Sequence, residues 1–445
     1  MLPVEKNKIY DVEILGLGTN GEGVGRLNDF TIFIEGALPA EKVTAEIIEV
    51  KKNYAVGKLQ KILRESSERV KPFCPIYNEC GGCQLQHLSY AAQLAWKRRQ
   101  VVDAVERIGK LHGVEILDTL GMENPLRYRN KMQFPVGKNL ATGCYARGSH
   151  KIVDTDSCLI QKESADKVLA AVKKILRRLK ISPYDEDSRK GILRHIMSRV
   201  GFNGEVMLVL VTAVKNLPNE KSIIKAIRAE LPEVSTIQQN IQAFHNNVIL
   251  GRETKILYGK PAIKDKIGNL EFNISARSFF QVNTAQAEVL YRTAKDFAQL
   301  GGREILIDAY CGTGTIGLFM AKNAYKVLGI EIVREAIDDA KRNARENKIR
   351  NAEFIVGDVV KVLPHLEIYA DVVVVDPPRA GCDKKVLETF AAMKPARIVY
   401  VSCNPATLAR DLAILSEWGY TAKKIQPVDM FPFSSHVEAV AQLEL

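Results

Sequence analysis

The chain has 445 residues, of which 46% are hydrophobic and 26% are charged, values typical of a soluble globular protein. Its length exceeds what one hydrophobic core usually serves, so about three domains are expected. No run approaches the roughly 18 consecutive apolar residues of a membrane span, and the acidic start differs from a signal peptide. We therefore expect a cytoplasmic protein without a membrane partner.

The net charge of +11 is unevenly distributed along the chain. Residues 1–62 carry 8 basic and 9 acidic side chains, whereas residues 63–200 carry 25 basic and 15 acidic ones. A basic excess that is confined to one region indicates a polyanionic partner. Solvated helix faces would explain the same charge, and charge alone does not separate the two interpretations.

Residues 1–62 are predicted to form a small antiparallel β-barrel. Short alternating segments occupy 8–18, 31–37, 42–50 and 54–63. The segment 18–29 between the first two is rich in Gly and Asn, which tolerate positive φ, and it is predicted as a turn. Barrels of this size often bind nucleic acid. Because this one has no basic surplus, we expect a docking module with few direct contacts.

Residues 63–275 are predicted to form a central α/β domain. Helical spacing and strand-like runs alternate there, the helices at 89–110 and 164–180 and the strands at 191–200, 205–214 and 246–251.

Residues 276–445 alternate strands and helices more regularly, which predicts a doubly wound, Rossmann-like α/β sheet. The continuous valine run at 372–375 is typical of a parallel strand that is buried on both faces. The ligands of such a sheet bind beyond the carboxyl ends of its strands.

The loop after the first strand of this domain reads DAYCGTGTIGL (308–318), and its glycines, including Gly312 and Gly314, match G-x-G-x-x-G. Glu331 ends the next strand, where an acid can accept hydrogen bonds from both ribose hydroxyls. Asp358, after the third strand, is placed to bind an adenine amino group. The pattern fits a dinucleotide oxidoreductase, an S-adenosylmethionine enzyme or a tight turn without a ligand.

Three segments at the ends of later strands separate these alternatives: DPPR (376–379), SCNP (402–405) and HVE (436–438). A dehydrogenase needs neither a thiol nor a carboxylate of this kind, whereas methylation of a pyrimidine at carbon 5 needs both. A thiolate that adds to carbon 6 makes carbon 5 able to attack a sulfonium methyl group, and a base then removes the proton from carbon 5. Cys403 suits the first task and Glu438 the second. A cysteine at a strand end is usually a core residue, but these neighbours favour the reactive interpretation.

With these residues the chain resembles the RNA uracil-5-methyltransferases over nearly its whole length, and most closely the branch that acts on 23S ribosomal RNA. That branch has a TRAM barrel and an iron–sulfur cluster. The resemblance rests on GEGVGR, CPIYNECGGCQLQH, RNK, FFQVN, DAYCGTGTIGL, DPPRAG, SCNP and HVEAVAQL, which occur in this order.

The resemblance implies S-adenosylmethionine as cofactor, Cys403 as nucleophile and Glu438 as proton acceptor. It also implies that Phe279 packs on the target base. The expected cofactor contacts are Gln281, Tyr310, Gly312, Gly314, Glu331, Asp358 and Asp376.

Cys74, Cys80 and Cys83 lie close together in the sequence, and a distant fourth cysteine would complete either a zinc or an iron–sulfur site. Three clustered ligands with one remote partner favour a [4Fe–4S] cluster over zinc. Cys144 and Cys158 compete for the fourth place, and the family pattern points to Cys158. The remaining cysteines, Cys311 and Cys382 with Cys144, are interpreted as packing or loop residues.

RNA is the expected partner of a monomeric protein, and the target base must leave its stack to reach the thiol. Arg129, Asn130 and Lys131 are predicted to hold phosphates or fill the emptied site. His195 is either a core residue or part of the site. Ribosomal RNA is favoured. Transfer RNA is one alternative, and a non-catalytic iron–sulfur RNA-binding protein is another.

Overall fold

The N-terminal strands close into a small barrel. The computed structural model describes residues 2–366 and 368–445. The barrel consists of β1 (Ile9–Leu17), β2 (Gly23–Leu27), β3 (Phe30–Glu35), β4 (Lys42–Val50) and β5 (Tyr54–Arg64). The strands follow the order β1-β2-β3-β5-β4, which confirms the predicted barrel, although β3 and β5 pair parallel and not antiparallel.

Strand β2 lies inside the segment 18–29, which the sequence predicts as a turn, and that part of the prediction is wrong. The glycines of β2 have a packing reason. A Cβ atom on Gly25 would lie 2.3 Å from Cγ1 of Val12, and one on Gly23 would lie 2.7 Å from the carbonyl oxygen of Ala37. Glycine here marks the close approach of two chain segments rather than a chain reversal.

After the barrel, α1 (Tyr90–Arg107) and β6 (Glu115–Ile116) pack with the C-terminal part of the chain. Val101 and Val105 of α1 belong to the same buried cluster as Leu408 and Leu412, more than 300 positions later. None of the helices in the described residues combines the length and the apolar character that a membrane crossing requires.

A five-stranded sheet forms the centre of the molecule. Its strands are β7 (Lys131–Pro135), β8 (Leu193–Val200), β9 (Val206–Thr212), β10 (Val234–Ile241) and β11 (Glu253–Tyr258). They lie side by side in the order β11-β10-β9-β8-β7. Helices α2 (Glu163–Arg178) and α3 (Glu220–Glu230) cover one face, where Leu169 and Ile227 pack with Leu208.

The strand predicted at 246–251 is not observed, and β11 begins instead at Glu253. The side-chain oxygen of Asn246 accepts a hydrogen bond from the backbone amide of Val248 at 3.0 Å. Such a local bond offers the backbone an alternative to the strand ladder, so the apolar residues of this run lie in a turn.

The C-terminal sheet has the order β16-β15-β14-β17-β18-β20-β19-β6. A hairpin, β12 (Ala262–Ile267) and β13 (Leu270–Ser275), precedes it. The strands of the sheet are β14 (Ile305–Ala309), β15 (Lys326–Glu331), β16 (Ala352–Val356), β17 (Val372–Val375), β18 (Arg397–Ser402), β19 (Thr421–Val428) and β20 (Glu438–Glu444). The helices are α4 (Thr284–Ala298), α5 (Thr315–Met320), α6 (Arg334–Glu346), α7 (Val359–Val362), α8 (Lys384–Met393) and α9 (Pro405–Glu417).

Strands β14 to β18 are mutually parallel, whereas β20 runs antiparallel to both of its neighbours. All four valines of β17 are fully buried, as the sequence predicts for a parallel strand covered on both faces. The carboxyl ends of the parallel strands meet at one edge, and the start of β20 lies at the same edge because β20 is antiparallel.

A buried ion pair joins α1 to the loop between β19 and β20. The ammonium of Lys97 lies 2.5 Å from the carboxylate of Asp429, and both side chains are fully buried. The hydroxyl of Tyr90 donates to the second carboxylate oxygen at 2.8 Å, and Lys97 also donates to the carbonyl oxygen of Phe431. Burial lowers the pKa of Lys97, and Asp429 opposes this shift. These bonds anchor the first residues of the loop that leads into β20.

Replacing Lys97 with Met leaves the carboxylate of Asp429 buried without its cation. We expect a loss of about 3–5 kcal/mol of stability, seen as a lower urea midpoint in circular dichroism. The double variant Lys97→Met, Asp429→Leu removes both charges and should recover part of the loss. A double variant less stable than Lys97→Met would contradict this account.

Candidate active site

A cavity of about 1080 Å³ connects the strand ends of the C-terminal sheet to the segment that contains Cys74, Cys80 and Cys83. Its lining brings together residues that lie far apart in the sequence. They include Cys74, Cys83, Cys158, Phe279, Gln281, Tyr310, Gly312, Glu331, Asp376, Cys403 and Glu438. Most of the predicted site residues therefore face one continuous space.

The glycine loop adopts the tight conformation that its sequence predicts. Gly312 and Gly314 have φ of 53° and 78°, and Tyr310 is also in the left-handed region with φ of 61°. The buried carboxylate of Asp308 accepts a hydrogen bond from the backbone amide of Gly317 at 2.8 Å. Glu331 accepts from the backbone amide of Gly312 at 3.3 Å, which ties the loop to the end of the next strand. The loop is thus held in a shape that can receive a nucleoside.

The antiparallel pairing of β18 with β20 places Cys403 beside Glu438. Ser402 pairs with Ala439, so the next residue on β18 lies level with the first residue of β20. Asp376 directly follows β17, the strand next to β18, and lines the same cavity. The sheet register thus brings a thiol and two carboxyl groups together from three separate segments.

Burial dominates the electrostatics of this group. It raises the pKa of Glu438 to about 8, an effect that Asp376 increases and Arg379 opposes. It also raises the pKa of Asp376 to about 7. The pKa of the Cys403 thiol rises to about 11 through burial, then Glu438 and Asp376, while Arg379 opposes the shift.

The sequence indicates that a helix N-terminus can increase the thiolate fraction of Cys403, and α9 does begin two residues later. In the protein alone, however, burial and the two carboxyl groups outweigh it. A cationic ligand in the cavity would shift the balance back towards the thiolate.

Phe279 and Gln281 lie in the segment before α4, and both line the cavity. The ring of Phe279 is 76% exposed, an unusual position for a large apolar side chain and one suited to stacking on a planar ligand. Asn130 is buried, and its amide donates to the carbonyl oxygen of Gln281 at 3.1 Å and to Asp265 at 3.0 Å. Asn130 therefore fixes this segment from behind instead of facing the cavity.

Arg129, which lies just before the edge strand β7, lines the cavity, whereas Lys131, the first residue of β7, lies outside the lining. Lys131 pairs across the strands with Arg199, a residue that sequence reasoning missed. Burial, Arg199 and Arg129 lower the pKa of Lys131 to about 8. Within the described residues, the buried Nε of Arg199 and Nδ1 of His195 have no hydrogen-bond partner. His195 and Arg199 are four positions apart, and this even spacing, which puts both on one face of a strand, is the sequence signal that could have revealed this face.

Besides Cys311 and Cys403, five further cysteines line the cavity: Cys74, Cys80, Cys83, Cys144 and Cys158. A Cβ atom on Gly82 would lie 3.3 Å from the sulfur of Cys144 and 3.4 Å from that of Cys80. Cys144 is thus part of this group rather than a separate packing residue. Among the described residues, no group of three or more His, Cys, Asp or Glu could hold a metal ion.

Asp358 lies outside the cavity lining. Its carboxylate caps α7 by accepting a hydrogen bond from the backbone amide of Val360 at 3.0 Å. The remaining cysteines, Cys311 and Cys382, are buried, and Cys382 contacts the hydroxyl of Tyr400.

Replacing Arg379 with Gln removes the guanidinium that lowers the pKa of both Cys403 and Glu438. The pKa of the thiol should rise further, so less thiolate is present at any given pH below it. We expect slower alkylation of Cys403 by iodoacetamide and a pH profile shifted to higher pH, followed by mass spectrometry of the Cys403 peptide. Arg292→Gln, on the exposed side of α4, is the matched control. An unchanged or faster reaction in Arg379→Gln would rule out this role.

Comparisons with known proteins agree with this geometry. A family model described as tRNA (uracil-5-)-methyltransferase matches residues 164–357 and 364–444, and a TRAM domain model matches residues 3–59. An "uncharacterized RNA methyltransferase" of Clostridium tetani is 52% identical over 99% of this chain and 97% of its own length. One from Halalkalibacterium halodurans is 51% identical over 100% of this chain and 98% of its own length.

Among solved structures, the Pyrococcus abyssi tRNA (uracil-54, C5)-methyltransferase in complex with S-adenosyl-L-homocysteine has a TM-score of 0.80. It is 31% identical, and the match covers 98% of this chain and 100% of that one. The dehydrogenase and non-catalytic alternatives find no support in these relatives. The chain belongs to the tRNA (uracil-5-)-methyltransferase family, and it is an S-adenosylmethionine-dependent RNA (uracil-5-)-methyltransferase with an N-terminal TRAM domain.

Proposed function

We propose that this enzyme methylates carbon 5 of a uridine in 23S ribosomal RNA, with Cys403 as covalent nucleophile and Glu438 as proton acceptor. The observation that carries the mechanism is the convergence of Cys403, Glu438 and Asp376 in the cavity that also contains the glycine loop. We also propose that the enzyme acts as a monomer, since every residue that this mechanism uses comes from one chain. We further propose that it acts in the cytoplasm.

S-adenosylmethionine supplies the methyl group as a sulfonium ion, whose positive charge would lie near Asp376 and Glu438, two carboxyl groups whose pKa burial raises. The proposed contacts within the cavity lining are Gln281, Tyr310, Gly312, Glu331 and Asp376, and Gly314 and Asp358 are further candidates outside it. A cation there lowers the pKa of Cys403 and Glu438, so thiolate and carboxylate are favoured when the cofactor is present.

The thiolate of Cys403 adds to carbon 6 of the uracil, and the electron pair displaced to carbon 5 forms the new bond to the methyl group. Glu438 then takes the proton from carbon 5, the double bond re-forms, and the thiolate of Cys403 leaves. Loss of the positive charge on methyl transfer returns the pKa of Glu438 towards its raised value. Glu438 thereby becomes a stronger base at the step in which it must accept the proton.

The target base enters the cavity out of its stack, and we propose that Phe279 packs on it. Arg129 and Lys131, which are partly buried beside β7, hold the RNA backbone, and the buried Arg199 adds a third cation next to Lys131. The support for this surface is the cross-strand pairing of Lys131 with Arg199, because like charges placed opposite one another are stabilised by an anion between them. Asn130 acts indirectly, by fixing the segment that contains Gln281.

We propose that Cys74, Cys80, Cys83 and Cys158 hold a [4Fe–4S] cluster. Their thiols line one cavity, and the glycines at positions 81 and 82 leave its wall free of side chains. Thiolate ligands suit iron–sulfur clusters, and a cubane needs sulfurs spaced more widely than a single metal ion does. The donor set, three thiols close together in the sequence with one remote partner, fits such a cluster better than zinc. Cys144 is the competing fourth ligand.

Transfer RNA is the second candidate substrate. The support for it is the Pyrococcus abyssi relative, whose structure is that of a tRNA (uracil-54, C5)-methyltransferase. The combination of the TRAM domain with Cys74, Cys80, Cys83 and the distant Cys158 favours ribosomal RNA.

The Glu438→Gln variant should stop after methyl transfer, because Gln cannot take the proton from carbon 5. We expect it to accumulate a covalent complex between Cys403 and RNA that survives a denaturing gel. Incubation with purified 23S ribosomal RNA and, separately, transfer RNA identifies the substrate, and we expect the complex with ribosomal RNA. Cys403→Ala is the control, with no complex and no 5-methyluridine.

A complex formed only with transfer RNA would move the substrate assignment to the second candidate. Turnover at the normal rate in Cys403→Ala would refute covalent catalysis, and normal turnover in Glu438→Gln would remove Glu438 as the base.

The cluster proposal predicts a brown protein whose visible absorbance is lost in Cys158→Ser but retained in Cys144→Ser. The two variants are matched, since both remove one thiol from the same cavity. The reverse result would make Cys144 the fourth ligand. A colourless wild-type protein that contains zinc would overturn the iron–sulfur assignment.

A further inference from the structure

The loop between β19 and β20, residues 429–437, leads directly into Glu438, and we call it the base loop. Asp429 anchors its first residue through the buried ion pair with Lys97. Phe433, at its middle, is buried and has φ of 67°, a left-handed conformation that is unfavourable for a bulky side chain. A conformation of this kind persists only where surrounding contacts hold it.

The contacts that hold Phe433 come largely from the segment that contains the clustered cysteines. The carbonyl oxygen of Phe433 accepts hydrogen bonds from the backbone amides of both Gln84 and Leu85, each at 2.9 Å. The ring of Phe73 meets the ring of Phe433 edge to face, with centroids 4.8 Å apart. The amide of Phe433 donates to the side chain of Gln93 in α1 at 3.1 Å.

The side chain of Gln84 forms hydrogen bonds with both the base loop and the segment that contains the clustered cysteines. Its side-chain oxygen accepts from the backbone amide of Ser435 at 3.3 Å, and its side-chain nitrogen donates to the carbonyl oxygen of Gly81 at 2.9 Å. Its own carbonyl oxygen accepts from the hydroxyl of Tyr77 at 2.6 Å. Gln84 directly follows Cys83, so it connects the folded cysteine segment to the base loop three residues before Glu438.

We infer that Gln84 is a positioning residue for the proton-removal step, which it serves by holding the base loop so that Glu438 meets carbon 5 of the methylated base. This rests on the proposed function. It gives the cysteine segment, residues 74–87, a structural role in a reaction without a redox step, whatever the thiols bind. Methyl transfer depends on Cys403 and the glycine loop, which Gln84 does not contact, so the two steps should respond differently.

The test is Gln84→Ala, compared with Gln239→Ala as a matched control. Gln239 is fully buried, whereas Gln84 is partly buried, and the side chain of Gln239 likewise donates to a backbone carbonyl oxygen, that of Val214 at 2.9 Å, but it lies outside the cavity lining. Methyl transfer and release of 5-methyluridine are measured separately in a single turnover with purified RNA. Covalent Cys403–RNA complex is measured on a denaturing gel.

We expect release to slow by roughly tenfold in Gln84→Ala, the scale of loss that a small misplacement of a reacting group produces. Methyl transfer should change much less, so the covalent complex accumulates, as in Glu438→Gln but to a smaller extent. A merely structural role would slow both steps equally without any complex, as expected of Gln239→Ala, and that result in Gln84→Ala would overturn the inference.

Hydrogen exchange of the amides of residues 433–437 in the RNA-free protein provides the second readout. Exchange should rise in Gln84→Ala and stay unchanged in Gln239→Ala, and equal protection in both variants would also overturn the inference. This measurement needs no activity. If the wild-type protein makes no 5-methyluridine, the proposed function fails, while the exchange data still decide whether Gln84 holds the base loop.

Discussion

The buried contact between Lys97 and Asp429 is the interaction on which the geometry of the site depends. Removing two charges from water is costly, and here the cost is offset by an ion pair at 2.5 Å and by a further bond from Tyr90. The pair connects a helix from the second quarter of the chain to the loop before the last strand. It therefore anchors the start of the loop that leads into Glu438, the first residue of β20.

The electrostatics of the cavity follow from the groups that the fold places in it. A thiol and two carboxyl groups share a buried space, and burial raises the pKa of all three. Such a group is poised for a cation, since a positive charge in the cavity stabilises every ionised form at once. A sulfonium cofactor provides that charge and then loses it on reaction. In the proposed mechanism, the same cavity would therefore favour a thiolate at the start of the cycle and a stronger base at its end.

The cysteine segment contributes in a second way, through its backbone. Gln84 and Leu85 both donate to the carbonyl oxygen of Phe433, whose left-handed conformation depends on such support. The base loop is consequently held at its start by an ion pair and at its middle by the cysteine segment. The sequence predicts that the cysteine segment and the base loop belong to separate domains, yet the two are in contact at the nine residues before Glu438.

The sequence alone determined the chemistry and the kind of fold. The glycine loop, the buried valine strand and the residues at the strand ends were predictable, because they depend on local conformation and on a sheet edge that all parallel strands share. The sequence likewise predicted roles for Cys403, Glu438 and the clustered cysteines, since their motifs are short and contiguous. Local pattern failed at Gly23 and Gly25, which mark close packing, and at 246–251, where an Asn side chain replaces the strand ladder.

Only the tertiary structure decided which distant groups meet. It placed α1 against the C-terminal sheet, paired Arg199 with Lys131, and brought Cys144 beside Cys80. It turned Asn130 inward and raised the pKa of Cys403, although a helix N-terminus lies nearby. The physical reason is the same in each case. Burial, charge proximity and hydrogen-bond partners are properties of the space around a residue, and residues far apart in the sequence create that space.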